Sequence, residues 1–378
     1  MAKLTFILGA GASAIGGCPV MSNFMSVARR LRETGELGEH AKDFDLVSKF
    51  HAYLFHNQIK SHLDVNNIEI LYSAIDLIKN LNGVGELKYE ESVKAHAAFA
   101  RLIAVVLEKT QRFQIHFRES RLISNNQNRE YFTPVVSGPE GYSELVEYLK
   151  IYKEKYPNLS VEFVTFNYDM GLETSMLLQD LQPDSSPAFA STAPDNSEYR
   201  IHKLHGSVHW YAEDGDLTGA TAELVDSLAK LKDDVSDMVS HASKEYTSIS
   251  FADKLISLGK RPLIVPPTDD KVRYRALHSN VWDSAARAIS ESDAICVLGY
   301  SMPATDLFFK LFWSISTSNQ HDLRKLYLMD IDSSVFGKYK NLVGEPIRDR
   351  VSSTFPDMKG VLRSITSDLE KSEGTFSL

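Results

Sequence analysis

The sequence predicts an α/β protein, a Rossmann-like parallel sheet flanked by helices, with a large helical insertion and no zinc ribbon. Three observations carry this expectation. Short, nearly continuous apolar runs occupy residues 4–8, 161–166, 263–265, 294–298 and 326–331, the pattern of parallel strands covered by helices on both faces. Between the first two runs lies a stretch of roughly 130 residues with helical periodicity, too long for a simple strand-to-strand crossover. The chain contains only two cysteines, Cys18 and Cys296, too few for a four-thiolate zinc module or a disulfide scaffold.

Each element follows from local pattern. In the long interval, Ile68, Leu71, Tyr72, Ile75, Ile78 and Leu81 recur at helical spacing, as do Val93, Phe99, Ile103, Val106 and Leu107, then Leu145, Val146 and Leu149. Residues 31–157 therefore read as a helical subdomain set into a catalytic sheet domain assembled from residues 1–30, 158–210 and 260–378. A second helical segment is expected over residues 211–259, where Leu224, Val225, Leu228, Leu231, Val235 and Met238 lie opposite Asp and Lys; it reads as a solvated amphipathic helix. Residues 183–196 form a Ser/Pro/Ala-rich loop. The polar tail from Ser367 onward is expected to fray.

Composition narrows the function. A formal net charge of −9 argues against direct nucleic-acid binding, which needs clustered Lys and Arg. No window approaches the ~18 continuous apolar residues of a membrane span, and the apolar N-terminal run is too short for a signal peptide. Few cysteines fit a reduced, cytoplasmic setting.

Polar and glycine residues concentrate where the apolar runs end. In FILGAGAS, Gly9 and Gly11 follow the first run and precede the helical run 21–31, so they permit a tight turn and a close approach to a pyrophosphate at a helix N-terminus. Two residues after Gly11, at Ser13-Ala14, the chain lacks the third glycine of the dehydrogenase fingerprint G-x-G-x-x-G, so that fingerprint is absent. VTFNYD ends a strand with Asn167 and Asp169, placed either to meet a ligand beyond the carboxyl end or to cap a turn. IHKLHGSVHW offers His202, His205 and His209. The intervening glycine and the lack of a nearby acidic or thiolate cluster argue against a metal site. His205, beside Gly206, is expected to be accessible and suited to general base work. Gly299 and Ser301 repeat a small-residue and hydroxyl pattern after residues 294–298. Asp330 and Asp332 end the last run, where a carboxylate can bind ribose hydroxyls or cap a helix.

Taken in order, GAGAS, TFNYD, KLHGS, RPLIVPP, LGYSMP and a terminal acidic strand resemble the sirtuin-like superfamily over most of the chain. The resemblance implies that Gly9, Ala10, Gly11 and Ser13 form the pyrophosphate turn. Asn167 and Asp169 then lie near nicotinamide and its ribose, and His205 is the base. Gly299 and Ser301 match the turn beneath the cofactor, and Asp330 falls near the adenosine-ribose position. Two departures stand out. Protein-deacylating sirtuins carry a four-cysteine zinc ribbon between the His-Gly and P-x-I-V segments, where residues 211–260 here contain no cysteine. They also carry Asp-Phe-Arg after the first turn, where this chain reads Cys18-Pro19-Val20-Met21-Ser22.

What remains resembles the bacterial antiphage branch, whose members hydrolyse NAD. The resemblance thus implies an NAD glycohydrolase with NAD as substrate and no metal, yielding nicotinamide and ADP-ribose, and members of this kind are paired with a HerA-type ATPase. Alternatives are a catalytically silent sensor of an NAD-derived nucleotide, and a protein deacylase or ADP-ribosyltransferase. A homo-oligomer is expected. The helix after Pro303, with Leu307, Phe308, Phe309, Leu311, Phe312, Trp313 and Ile315, is apolar around most of its circumference and should be buried on several sides, in the core or at a self-association surface.

Overall fold

The structure, a computed structural model, describes residues 2–60, 62–124, 127–185, 199–212, 223–224, 246–247, 256, 261–265, 275–303, 307–318 and 322–377. The chain opens with β1 (Ala2–Leu8), followed by α1 (Ala10–Ile15), α2 (Phe24–Glu33), α3 (Ala41–His56) and α4 (Ile68–Asn80). A small hairpin, β2 (Gly83–Val84) with β3 (Leu87–Lys88), leads into α5 (Tyr89–Thr110). A long hairpin of β4 (Phe113–Ser124) and β5 (Gln127–Ser137) precedes α6 (Tyr142–Lys155). Then come β6 (Leu159–Thr165), α7 (Gly171–Leu178), β7 (Pro183–Asp184), β8 (Tyr199–Lys203), β9 (Gly206–Ala212), β10 (Glu223–Leu224), β11 (Tyr246–Thr247) and β12 (Arg261–Ile264). The described chain closes with α8 (Arg275–Ser290), β13 (Ala294–Leu298), α9 (Leu307–Ser316), β14 (Lys325–Met329), α10 (Val335–Leu342), β15 (Val351–Phe355) and α11 (Met358–Lys371).

Seven strands form one sheet in the order β15-β14-β13-β1-β6-β8-β7, and every neighbouring pair is parallel. The strands are apolar at successive positions because both faces are covered. Leu4, Phe6, Leu8, Phe163, Cys296 and Leu298 face one core, with Leu145 and Leu149 of α6 and Val361 and Ile365 of α11. Ile7, Val164, Ile295 and Val297 face the other, with Val281 and Ala285 of α8, Phe309 of α9 and Tyr339 of α10. The period of two along each strand thus serves two cores at once. This is the Rossmann-like sheet flanked by helices.

The expected helices of the long interval form where their periodicity placed them, as α4, α5 and α6. Helices α2 to α5 share a third core, which reaches the sheet through Tyr168, Met170, Val208 and Ile264. Helices dominate this interval, and the hairpin of β4 and β5 also lies within it. Among the described residues no helix is long and apolar enough to cross a membrane.

Several local expectations are corrected. The run 263–265 does not join the parallel sheet: β12 pairs antiparallel with β9, with a register shift at Pro262/Leu263, where proline has no N–H to give the ladder. The sheet instead recruits β8 from IHKLH, whose polar residues hid its strand character. Helix α1 stands directly after the glycine turn, and the expected helix over 21–31 begins only at Phe24. Leu224 lies in a strand paired with Trp210, not in a helix; Val225, Leu228, Leu231, Val235 and Met238 lie outside the described residues, as does most of the loop 183–196. The tail is anchored rather than frayed. Leu369 and Phe376 are fully buried, and Arg324 donates to the Phe376 carbonyl at 2.6 Å. Helix α9 buries Phe309, Phe312 and Trp313 but exposes Leu311 and Ile315, so it is covered on one side rather than several. The side chains of Leu307 and Phe308 lie outside the described set.

Candidate active site

In a parallel sheet all carboxyl ends lie along one edge, and ligands meet that edge where the chain reverses its direction of travel across the sheet. Here the reversal falls at β1, with β6 and β8 to one side and β13 and β14 to the other. The singled-out residues follow five adjacent strands along that edge: Asp330 after β14, Gly299 and Ser301 after β13, Gly9 to Ser13 after β1, Asn167 and Asp169 after β6, and His205 after β8.

The glycines serve the backbone first. Gly11 N–H donates to the Gly299 carbonyl at 2.9 Å, and Gly9 N–H donates to the Leu298 carbonyl at 2.9 Å. A Cβ on Gly9 would stand 2.5 Å from the Gly299 oxygen, and one on Gly11 would stand 2.8 Å from the Gly299 Cα. Gly299 itself has φ +61, and a Cβ there would meet the Ala12 nitrogen at 2.3 Å. Three glycines are therefore required for the turns after β1 and β13 to lie against each other, whatever a phosphate also requires. Ala10 begins the six-residue α1.

Beside this turn lies a closed polar network. Asp169 accepts from Ser13 Oγ at 2.5 Å, from Gln111 Nε2 at 2.9 Å and from Gly171 N–H at 2.9 Å. Asn167 Nδ2 donates to the Gly9 carbonyl at 2.8 Å and lies 2.9 Å from Ser13 Oγ and 3.2 Å from the Tyr142 hydroxyl. Because the Gly9 carbonyl can only accept, it sets the Asn167 amide orientation. Ser13 gives its one proton to Asp169, so Tyr142, 2.8 Å away, donates to Ser13. Burial, then the nearby Asp169, holds the Tyr142 phenol well above its ordinary pKa, which keeps that donor protonated. The amide nitrogen of Asn167 is thus spent on the protein, leaving its Oδ1 as the atom able to face a ligand. A space of about 10 Å³, room for roughly one water, lies by Asp169 and Gln111.

A buried ion pair fixes this network from below. Lys203 Nζ lies 2.9 Å from Glu173 Oε1, with both side chains 1% exposed. It also donates to the Asp169 carbonyl at 2.5 Å, so β8 holds the turn after β6 in place.

The three histidines separate into three environments. His202 Nε2 lies 2.8 Å from Glu162 Oε2. His209 sits between Ser207 (Nδ1, 2.7 Å) and Ser185 (Nε2, 3.2 Å); burial, then Lys203, lowers its pKa well below the ordinary value, so it is neutral. Among the described residues no group of His, Cys, Asp and Glu is arranged to hold a metal. His205 occupies the turn between β8 and β9, and it is 7% exposed, less accessible than its glycine neighbour suggested. Gly206, at φ +83, has no room for a Cβ, which would stand 2.1 Å from the Leu263 oxygen; it admits β12 rather than solvent. Rings of Phe166 (5.2 Å between centroids), Tyr168 (6.2 Å) and Trp282 (6.5 Å) surround the imidazole. Glu69 Oε1 lies 3.8 Å from its Nδ1.

On the other flank, Ser301 is exposed and its carbonyl accepts from Lys338 at 2.9 Å. Asp330 is half-buried; burial raises its pKa despite the Asp332 N–H donated to it at 2.9 Å. Asp332 accepts from Ser334 N–H at 2.9 Å and from Ser334 Oγ at 2.7 Å, a turn just ahead of α10, whose N-cap position is Ser334 and carries no side-chain cap bond. Sequence reading missed Tyr142, Gln111, Lys203, Glu173 and Glu69. Each lies in a helix, at a helix end or in a strand whose periodicity announces only packing; the polar Lys203 in an otherwise buried strand was the one available signal.

No family model matches the chain, and no curated protein matches it. Among solved structures it is similar to a Sir2 homologue in complex with ADP-ribose, at 12% identity over 97% of this chain and 93% of that one, with a TM-score of 0.40. It is also similar to Sir2Tm bound to a propionylated peptide, at 12% identity over 99% and 94%, TM-score 0.35. A third is Sir2 bound to acetylated peptide, at 13% identity over 99% and 94%, TM-score 0.35.

Proposed function

We propose that the protein is an NAD glycohydrolase, cleaving NAD to nicotinamide and ADP-ribose at the carboxyl edge of β1, β6 and β8. The observation that carries this reading is the convergence of the glycine turn, the Asn167/Asp169 network and His205 on three adjacent strands. The motifs that resemble the sirtuin-like superfamily supply the ligand. In this reading Gly9, Ala10, Gly11 and Ser13 meet the pyrophosphate with Gly299 and Ser301 beside them. Asp330 meets the adenosine ribose, Asn167 Oδ1 orients the reacting ribose and water, and Asp169 fixes the network. His205 takes the proton from water. Such chemistry works by positioning and electrostatics.

The same resemblance supports an antiphage role through NAD depletion in the cytoplasm, with a HerA-type ATPase as partner. Exposed Leu311 and Ile315 on α9 offer apolar surface for a homo-oligomer. A second reading, a sensor that binds an NAD-derived nucleotide without turnover, is favoured by how completely Asn167 Nδ2 and Asp169 are engaged by the protein. Incubating purified protein with NAD, with and without an acylated-lysine peptide, separates these readings. Nicotinamide release from NAD alone supports the glycohydrolase; release only with peptide supports a deacylase; binding without release supports the sensor.

A further inference from the structure

The helical insertion brings a charge to the catalytic edge. Glu69 Oε1 stands 3.8 Å from His205 Nδ1, and its place is built into the start of α4. Asn67 Oδ1 accepts the Glu69 N–H at 2.9 Å, and Ile68 N–H donates to the Met21 carbonyl at 3.1 Å. These bonds tie the helix start to the segment that follows the glycine turn. Facing the imidazole are Glu69 from α4, Tyr168 from the turn after β6, Phe166 at the end of β6 and Trp282 from α8. Lys203, two residues away, is turned to Asp169 and Glu173. Burial, reinforced by Glu69, holds the Tyr168 phenol well above its ordinary pKa, so Tyr168 brings no charge to the ring.

We propose that Glu69 is the positioning carboxylate of His205: it keeps the imidazole proton on Nδ1 and leaves Nε2 as the base toward the reacting ribose. This rests on the glycohydrolase reading. In the reaction, the bond between the ribose C1′ and the nicotinamide nitrogen breaks, and its electron pair returns to the ring, which leaves neutral. Water forms the new C1′–O bond and gives its proton to His205 Nε2, from which the proton passes to solvent. The imidazolium formed in that step is stabilised by the carboxylate on its far side, in an aromatic surrounding where the charge is poorly screened. At 3.8 Å the pair is an ion-pair contact, and catalytic contacts of this kind tighten when substrate fills the site.

The test combines NMR titration of the His205 ring, assigned by the resonance missing in His205→Ala, with the pH profile of kcat/KM for NAD. Removing the carboxylate charge lowers the imidazole pKa, and the base works when deprotonated. In Glu69→Gln the titration midpoint and the acid limb of the profile therefore both move to lower pH, by about half a unit or more. At the plateau, kcat falls roughly tenfold with little change in KM. Glu69→Ala loses more than Glu69→Gln, because the amide keeps a carbonyl oxygen on the Nδ1 side of the ring. An unshifted titration and a superimposable profile, alongside loss of cleavage in His205→Ala, overturn the Glu69 assignment and leave the glycohydrolase reading standing. Wild-type protein that leaves NAD intact, or His205→Ala that cleaves it undiminished, overturns both.

Discussion

The two halves of the candidate site at the carboxyl edge of the sheet are built from opposite materials. Around Asn167 and Asp169 the surroundings are polar and densely hydrogen-bonded, with Ser13, Tyr142, Gln111, Gly171 and the Lys203–Glu173 pair holding the Asn167 amide nitrogen and the Asp169 carboxylate and carbonyl. Around His205 they are aromatic, with Phe166, Tyr168 and Trp282 as walls and the Glu69 carboxylate in reach. The first construction fixes geometry, since a fully satisfied buried network has one low-energy arrangement. The second leaves a titratable ring in a weakly screening environment, where small changes in charge move its proton affinity most. Rigid positioning and tunable reactivity are thus assigned to neighbouring strands, β6 and β8.

This contrast can be broken from either side. The largest effect is expected on the aromatic side: His205→Ala should lower NAD cleavage by about 10²- to 10⁴-fold while the protein still unfolds cooperatively, because the bonds that hold Asn167 and Asp169 come from Ser13, Tyr142, Gln111 and Lys203. Steady-state nicotinamide release and a melting curve check both halves of that statement. On the polar side, Lys203→Met leaves the Glu173 carboxylate buried without its partner and should destabilise the fold by about 3–5 kcal/mol. Adding Glu173→Leu should recover most of that loss, as denaturant titration of the single and double variants would show. Asn167→Ala should cost less stability, about 1–3 kcal/mol, for the Gly9 carbonyl and hydroxyls it strands. Its kinetic cost should appear in kcat more than in KM, since the role of Oδ1 is realised as the ribose reacts; a normal kcat with raised KM would reduce Asn167 to a binding residue.

The smallest effect concerns pH. Burial opposes ionisation of Glu162, but the hydrogen bond and charge of His202, with Arg200 and Lys3, outweigh it and hold the carboxyl below its ordinary value. A lowered folded pKa contributes stability that is complete above the unfolded value and is lost as pH falls through the folded one. Glu162→Gln should therefore flatten the acid side of the stability curve slightly, without touching NAD cleavage at neutral pH.

The same contrast explains what the sequence discloses. Strands β1, β13 and β14 are legible because two-faced burial demands unbroken apolar runs, and Gly9, Gly11 and Gly299 are legible because close backbone approach excludes every other residue. The place of Asn167 and Asp169 at the end of β6, and of His205 later in the chain, is equally visible. Their partners are not. Tyr142 and Gln111 arrive at the site from the start of α6 and the end of α5, tens of residues away in sequence, where a tyrosine or glutamine looks like ordinary helix packing or capping. Strand β8 is hidden because His202 meets the part-buried Glu162 and Lys203 the buried Glu173, partners that a linear pattern does not show. The expectation of an open His205 failed because Gly206 serves the approach of β12. The anchored tail was misjudged because Phe376 is a single buried residue in a polar stretch.

The central claim, hydrolysis of NAD at this edge, is tested most directly by incubating the purified protein with NAD alone in ¹⁸O-labelled water and analysing the products by chromatography and mass spectrometry. Equal amounts of nicotinamide and ADP-ribose are expected, the latter carrying one labelled oxygen on the ribose carbon that nicotinamide left. NAD recovered intact, or nicotinamide released only when an acylated peptide is added, would contradict it.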